Sequence, residues 1–183
     1  MNRGDKRPHR RRIVHLGPES LSDSKSVGVS NFGRKRAVTI SRSTIIRASA
    51  ERCFDLINKQ LEVTPSWDPT IILSNPISIK HVRVGSMSRV IFNLGGVSEE
   101  AVAMIRSFRP NRYIFWTSTH SSQLQEEWQL QPEPHGTVVT VTLGYNPGRW
   151  IFGRLIDKLI KRTKIENTVV EMLGRLKATA EGP

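Results

Sequence analysis

From Gln123 to Tyr145 the chain alternates with period two, and after Pro147-Gly148 it turns to a helical period that lasts nearly to its end. Few architectures accept both. In the run Thr137 to Tyr145, Val139, Val141, Leu143 and Tyr145 share one face while Val138, Thr140 and Thr142 share the other. In the run before it, Gln123 to Gln131, Leu124, Glu126, Trp128 and Leu130 are in phase, and Gln125, Glu127, Gln129 and Gln131 face away. An antiparallel sheet with one wet face requires this alternation. Beyond the switch, Ile151, Phe152, Leu155, Ile156, Leu159, Val169, Leu173 and Leu176 form an apolar stripe. Arg154, Lys158, Lys161, Arg162, Lys164, Glu171 and Arg175 cover much of the rest. About 30 residues at 1.5 Å each predict a helix ~45 Å long, enough to cross a curved sheet.

The upstream residues supply the remaining elements. Ala37 to Ile46 places Val38, Ile40, Thr44 and Ile46 on one face of a strand. Ser49 offers an N-cap to a helix from Ala50 on, with Cys53, Phe54, Ile57 and Leu61 at helical spacing and Glu51 in its first turn. Pro65 ends it, and Trp67-Asp68-Pro69 leads into an extended piece, Thr70 to Ser74. Strands follow at Ser86 to Leu94 and Val97 to Phe108, flanking the hairpin signal Gly95-Gly96, and at Tyr113 to Thr119 after Pro110-Asn111. Consecutive strands with short turns predict an antiparallel meander, hence an α+β fold.

Charge divides the chain differently. The net charge is +12, but up to Arg36 there are ten Lys/Arg against three Asp/Glu, and from Ala37 on eighteen against thirteen. Residues 1–36 are Arg-, Ser-, Gly- and Pro-rich without a sustained period, so they read as a disordered basic leader before one domain, 37–183. Such a leader neutralises polyanions without reading bases; a solvated tail is the simpler account, and no sequence-specific nucleic-acid binding is expected. The single cysteine, Cys53, excludes an intramolecular disulfide and reads as a small core hydrophobe. The histidines, His9, His15, His81, His120 and His135, lack metal-ligand spacing, so neither a metal nor a cofactor is expected. With no apolar run of membrane-spanning length and no secretory apolar core, a cytoplasmic protein, monomeric or homodimeric, is expected.

The order of the local motifs resembles the START-related superfamily, of helix-grip fold, most closely its polyketide cyclase/dehydrase-like branch and also its coenzyme Q-binding-like branch. The matching segments are Thr44-Ile-Ile-Arg-Ala-Ser-Ala-Glu51, Trp67-Asp-Pro69, Arg109-Pro-Asn-Arg-Tyr-Ile-Phe-Trp116, Trp128-Gln-Leu before Gly136-Thr137, and Gly153-Arg-Leu-Ile-Asp-Lys-Leu159. The resemblance covers about Val38 to Ala180. It implies a sheet wrapped around the terminal helix, with a cavity for a small hydrophobic ligand such as a polyketide, lipid or quinone. The alternative is a polyketide cyclase, aromatase or dehydratase using buried acid and base groups.

Within that frame Glu126 is the most informative residue. Its phase sets it among apolar side chains, where burial would raise its pKa into a useful range. A later strand start or a bulge would instead leave it at the wet rim. Arg89 and Asn93 share a phase with Met87 and Ile91, in competition with Val90, Phe92 and Leu94 as the inward set. His120 shares a phase with Trp116 and Ile114, and together with Glu126 and Tyr145 forms the candidate acid/base set. Candidate lining residues are Trp67, Phe92, Met104, Trp116, Trp128, Tyr145, Phe152 and Leu155, with Trp150 a further aromatic. Lys158, Lys161, Arg162 and Lys164 make a basic helix surface suited to transient contact with an anionic membrane.

Overall fold

The alternating runs form seven strands, and the two helical patterns form two helices, in a computed structural model that describes residues 38–78, 82–119, 123–145 and 155–182. The expected leader, residues 1–36, lies outside these; the described residues all belong to the unit Phe32–Pro183. In chain order the elements are β1 (Val38–Ile46), α1 (Ala50–Asn58) with a 3-10 turn at Lys59–Leu61, β2 (Ile71–Pro76), β3 (Met87–Leu94), β4 (Val97–Arg109), β5 (Tyr113–Ser118), β6 (Gln125–Glu133), β7 (Gly136–Tyr145) and α2 (Leu155–Glu181).

All seven strands make one antiparallel sheet, ordered β1-β7-β6-β5-β4-β3-β2. Strands β2 to β7 are the predicted meander. The exception to nearest-neighbour order is β1, which pairs with the last strand from Val38 opposite Tyr145 to Ile46 opposite Thr137. The curved sheet and C-terminal helix are the helix-grip arrangement expected from the resemblance.

Local chemistry sets the connections. Ser49 Oγ accepts from the Arg52 backbone N–H at 3.2 Å, capping α1 as predicted. Gly95 and Gly96 both take positive φ, 63° and 87°, as a two-residue turn between right-twisted strands demands. Gly136, at φ 148°, is required sterically: a Cβ there would collide with the backbone of Ile46 on β1.

Inward positions are the even residues of β1, β3, β5 and β6 and the odd ones of β4 and β7. They bring Ile40, Ile46, Val90, Phe92, Leu94, Ala101, Ala103, Ile105, Ile114, Trp116, Trp128, Leu130, Val139, Val141 and Leu143 into one buried cluster. Helix α1 adds Cys53, Phe54 and Ile57, and α2 adds Ile165, Val169, Met172, Leu173, Leu176 and Ala180. Ile165 and Met172 thus extend the stripe read from the sequence, whose earlier members Ile151 and Phe152 lie outside the described residues. Each large side chain removed from water stabilises the fold by about 1.5–3 kcal/mol. Helix α2 lies against β1 and α1, and α1 also touches β6 and β7.

Candidate functional site

On the inner face of β6, Glu126 is a carboxyl surrounded by apolar wall, only 1% exposed. The inward placement is the correct one of the two open readings. The strand starts two residues later than the alternation suggested, at Gln125, but its phase is kept and no bulge intervenes, since β6 pairs without interruption from Gln125 opposite Gly144 to Glu133 opposite Gly136.

Its partners follow from the register. Trp116 sits directly opposite Glu126 on β5, and Trp128 is the next inward residue on β6. Both indoles donate to the same oxygen, Glu126 Oε1, with Trp116 Nε1 at 3.2 Å and Trp128 Nε1 closer. A third donor, Gln60 Nε2, reaches Oε1 at 2.9 Å from the 3-10 turn that ends α1. Trp67 stands edge-on to Trp128, with ring centroids 5.9 Å apart.

The residue after Trp67 brings a second buried carboxyl, Asp68, 2% exposed. Asp68 Oδ1 accepts from Thr70 N at 2.7 Å and from Thr70 Oγ1 at 2.6 Å, which fixes the turn out of Trp67-Asp68-Pro69. Its other oxygen, Oδ2, is buried without a partner, and so is Gln60 Oε1. Ser118, at the next inward position beyond Trp116 on β5, has a buried and unpartnered hydroxyl too.

Both carboxyls hold protons more tightly than carboxylates in water. Burial pushes Glu126 up to about 7 and the nearby Asp68 charge adds to the rise, against the opposing bonds from Trp128, Gln60 and Trp116. Burial likewise pushes Asp68 up to about 6, against the bonds from Thr70 and from the Ile71 backbone N–H. Because their repulsion is mutual, the two take up protons as a pair.

The other sequence-predicted residues distribute unevenly. Trp67, Phe92, Trp116, Trp128 and Tyr145 are buried on the inner side. Met104 is not among them: Ala101, Ala103 and Ile105 are the inward residues of β4, so Met104 lies on the opposite face, paired with Met87. Arg89 is exposed and ion-paired with Glu100 at 3.4 Å, so Val90, Phe92 and Leu94 are the inward set of β3 and Arg89 and Asn93 belong to the outer face. Tyr145 is buried, and its hydroxyl is raised by burial while Arg162 and Glu166 act on it in opposite directions. Those two and Arg42 form a separate polar group, Arg42 and Arg162 reaching Glu166 at 3.1 and 2.9 Å. His120, Trp150 and Phe152 lie outside the described residues, as does the side chain of Leu155. Cys53 is buried in the core, and burial raises its thiol pKa.

Two site residues escaped the sequence reading. Gln60 follows Ile57 by three positions and Cys53 by seven, so the helical spacing that selected Leu61 also marked Gln60 as inward. Asp68 carried no comparable signal, because aspartate between an aromatic residue and proline normally caps a solvated turn. Among the described residues no three His, Cys, Asp or Glu side chains converge as metal ligands, and no helix is long and apolar enough to cross a membrane.

A curved antiparallel sheet with a C-terminal helix defines the helix-grip fold class. Residues 37–181 match the family model described as polyketide cyclase / dehydrase and lipid transport, and the chain belongs to that family. No protein with a curated description matches the sequence. Among solved structures, a START superfamily protein from Mycobacterium smegmatis superposes with a TM-score of 0.59 at 19% identity, over 78% of this chain and 97% of its own. TTHA0849 from Thermus thermophilus gives a TM-score of 0.62 at 22% identity, over 79% of this chain and 97% of its own. The di-domain ARO/CYC BexL from the BE-7585A biosynthetic pathway gives 0.58 at 16%, over 80% of this chain and 51% of its own. This chain therefore spans about half of that di-domain protein. At these identities the likeness is one of fold.

Proposed function

We propose that this domain binds a small hydrophobic or aromatic molecule, such as a polyketide, lipid or quinone, between the inner face of the sheet and the C-terminal helix. The observation that carries this reading is Glu126, a buried carboxyl held by three N–H donors within a wall of tryptophans. Burying such a group inside an apolar interior costs several kcal/mol. A core that needed only to pack would have no use for it, whereas a ligand-binding wall needs a few placed polar groups among aromatic surface. Trp67, Phe92, Trp116, Trp128 and Tyr145 supply that surface. Arg162 and Lys164, exposed on α2, suit brief contact with an anionic membrane from which an apolar ligand is collected.

A second reading rests on the proton affinity of the same group. With a pKa near 7, Glu126 would serve as acid or base in a cyclisation, aromatisation or dehydration. Native mass spectrometry of protein purified from its source tests the first reading, with a retained apolar molecule as the expected result. An empty mass, together with no binding from a panel of polyketides, lipids and quinones, would sink it. The Glu126→Gln substitution tests the second. Lost turnover with retained binding is expected, and unchanged turnover would remove Glu126 from any catalytic role.

A further inference from the structure

The three N–H donors to Glu126 Oε1 differ in how they are held. Trp116 and Trp128 belong to the sheet, and strand register fixes both indoles relative to the carboxyl. Gln60 Nε2 reaches the same oxygen at 2.9 Å from the 3-10 turn Lys59–Leu61, outside the sheet. Bonds from Glu62 N and Val63 N to Lys59 O close that turn. The chain after it is tied to β2, where Ser74 N donates to Thr64 Oγ1 at 2.8 Å.

Packing alone would give the place of Gln60 to a hydrophobe. The side chain is 1% exposed and follows the buried Ile57 on the same helical face. Among the described residues its amide nitrogen bonds to Glu126 alone, and its oxygen is buried without a partner. A buried amide used in this way costs the fold more than a methionine of similar length would. Its one return is at the carboxyl, where a donated N–H favours the ionised form over the neutral acid. Burial and the charge of Asp68 oppose it. The other neighbours, Trp116, Trp128 and, across β6 and β7, Leu143, carry no charge. Resting on the reading of Glu126 as the functional group, we propose that Gln60 is its positioning residue, tying the charge on Glu126 to the placement of the segment between α1 and β2. With the segment seated, Glu126 can ionise; with the donor withdrawn, it holds its proton. Trp67 and Asp68 lie on the same segment, so part of the aromatic wall and the second carboxyl are placed together with this donor.

The test is an NMR titration of the full chain from about pH 4 to 9. It follows the carboxyl carbon of Glu126, read separately from that of Asp68, and the side-chain NH2 of Gln60. In the wild type the Gln60 amide protons should shift with the midpoint of Glu126. In Gln60→Met that midpoint should rise by about one pH unit, tenfold in the acid dissociation constant. The variant's melting temperature, relative to wild type, should then be lower at pH 8 than at pH 5, because a group that binds its proton more tightly when folded loses more stability as pH rises. An unchanged midpoint in the folded variant, with the same melting shift at both pH values, would reduce Gln60 to packing and overturn the proposal. Gln60 amide protons that stay still while Glu126 titrates would overturn it too, and the wild type shows this whether or not the variant folds. A wild-type midpoint at the ordinary value, 4.5, would instead sink the acid/base reading of Glu126 itself.

Discussion

The inner face of the sheet is finished in two contrasting ways. Toward β1 and β7 it is aliphatic: Ile40, Ile46, Val139, Val141 and Leu143 belong to one cluster with Ile165, Val169, Met172 and Leu176 of α2. Charge near that half is paired at its margin, Arg42 and Arg162 with Glu166. Across β5 and β6 the same face carries Trp116, Glu126 and Trp128, backed by Gln60 and Asp68 from the segment after α1, and several of its polar atoms lack partners. The first half secures the helix by packing, a task that any volume-matched set of hydrophobes performs. The second half retains polar groups that weaken the fold, and what weakens a fold yet is built with three converging donors points to use.

The contrast can be broken most forcefully at Trp128, which is fully buried and both packs on Trp67 and donates to Glu126. Trp128→Ala should destabilise by about 3–5 kcal/mol in urea unfolding. A loss below about 1 kcal/mol would mean that this half is not packed at all.

Glu126→Gln should move stability the other way. The folded-state pKa of Glu126 lies above its ordinary value, so the native state binds the proton more tightly than the unfolded chain does. Stability is therefore greatest below about pH 4.5, falls as pH rises through about 7, and stays low beyond. Glutamine imitates the neutral acid, with an oxygen for the three donors and an NH2 in place of the acid proton. The variant should be more stable than wild type at pH 8 by on the order of 3 kcal/mol, and nearly equal to it at pH 4.5. Thermal melts at the two pH values read this directly; a difference independent of pH would show that folding leaves the Glu126 pKa at its ordinary value.

In the aliphatic half the smallest effect is expected and should not sense pH. Ile165→Val on α2 removes one buried methylene and should cost about 1 kcal/mol, the same at pH 5 and pH 8. A pH-dependent cost there would join the two halves into one titrating unit and dissolve the distinction.

Most of the architecture was legible in the sequence because period two and period 3.6 are set by which face is buried. The strands from Gln123 to Tyr145 and the long helix could be read residue by residue for that reason. Glu126 was legible as a candidate for the same reason, its phase being fixed by Leu124, Trp128 and Leu130. Met104 was misplaced because β4 alternates small and large residues, and the larger ones mimic a core phase. Ala101, Ala103 and Ile105 point inward, leaving Met104 outside. The pairing of Glu126 with Asp68 was not legible, since it joins a turn to a strand far along the chain through tertiary geometry alone.

The pairing of the first strand with the last also governs how the protein is made. Ser41 and Thr142, whose hydroxyls meet at 3.0 Å across β1 and β7, are 101 positions apart. A ribosome adding ~5–20 residues per second therefore exposes β1 roughly 5–20 s before its sheet neighbour exists. During that interval Ile40 and Ile46 have neither β7 nor α2 to cover them, and α2 follows β7. The sheet can grow strand by strand from its β2 edge, but the β1 edge must wait for β7, which makes slow closure a property of this topology.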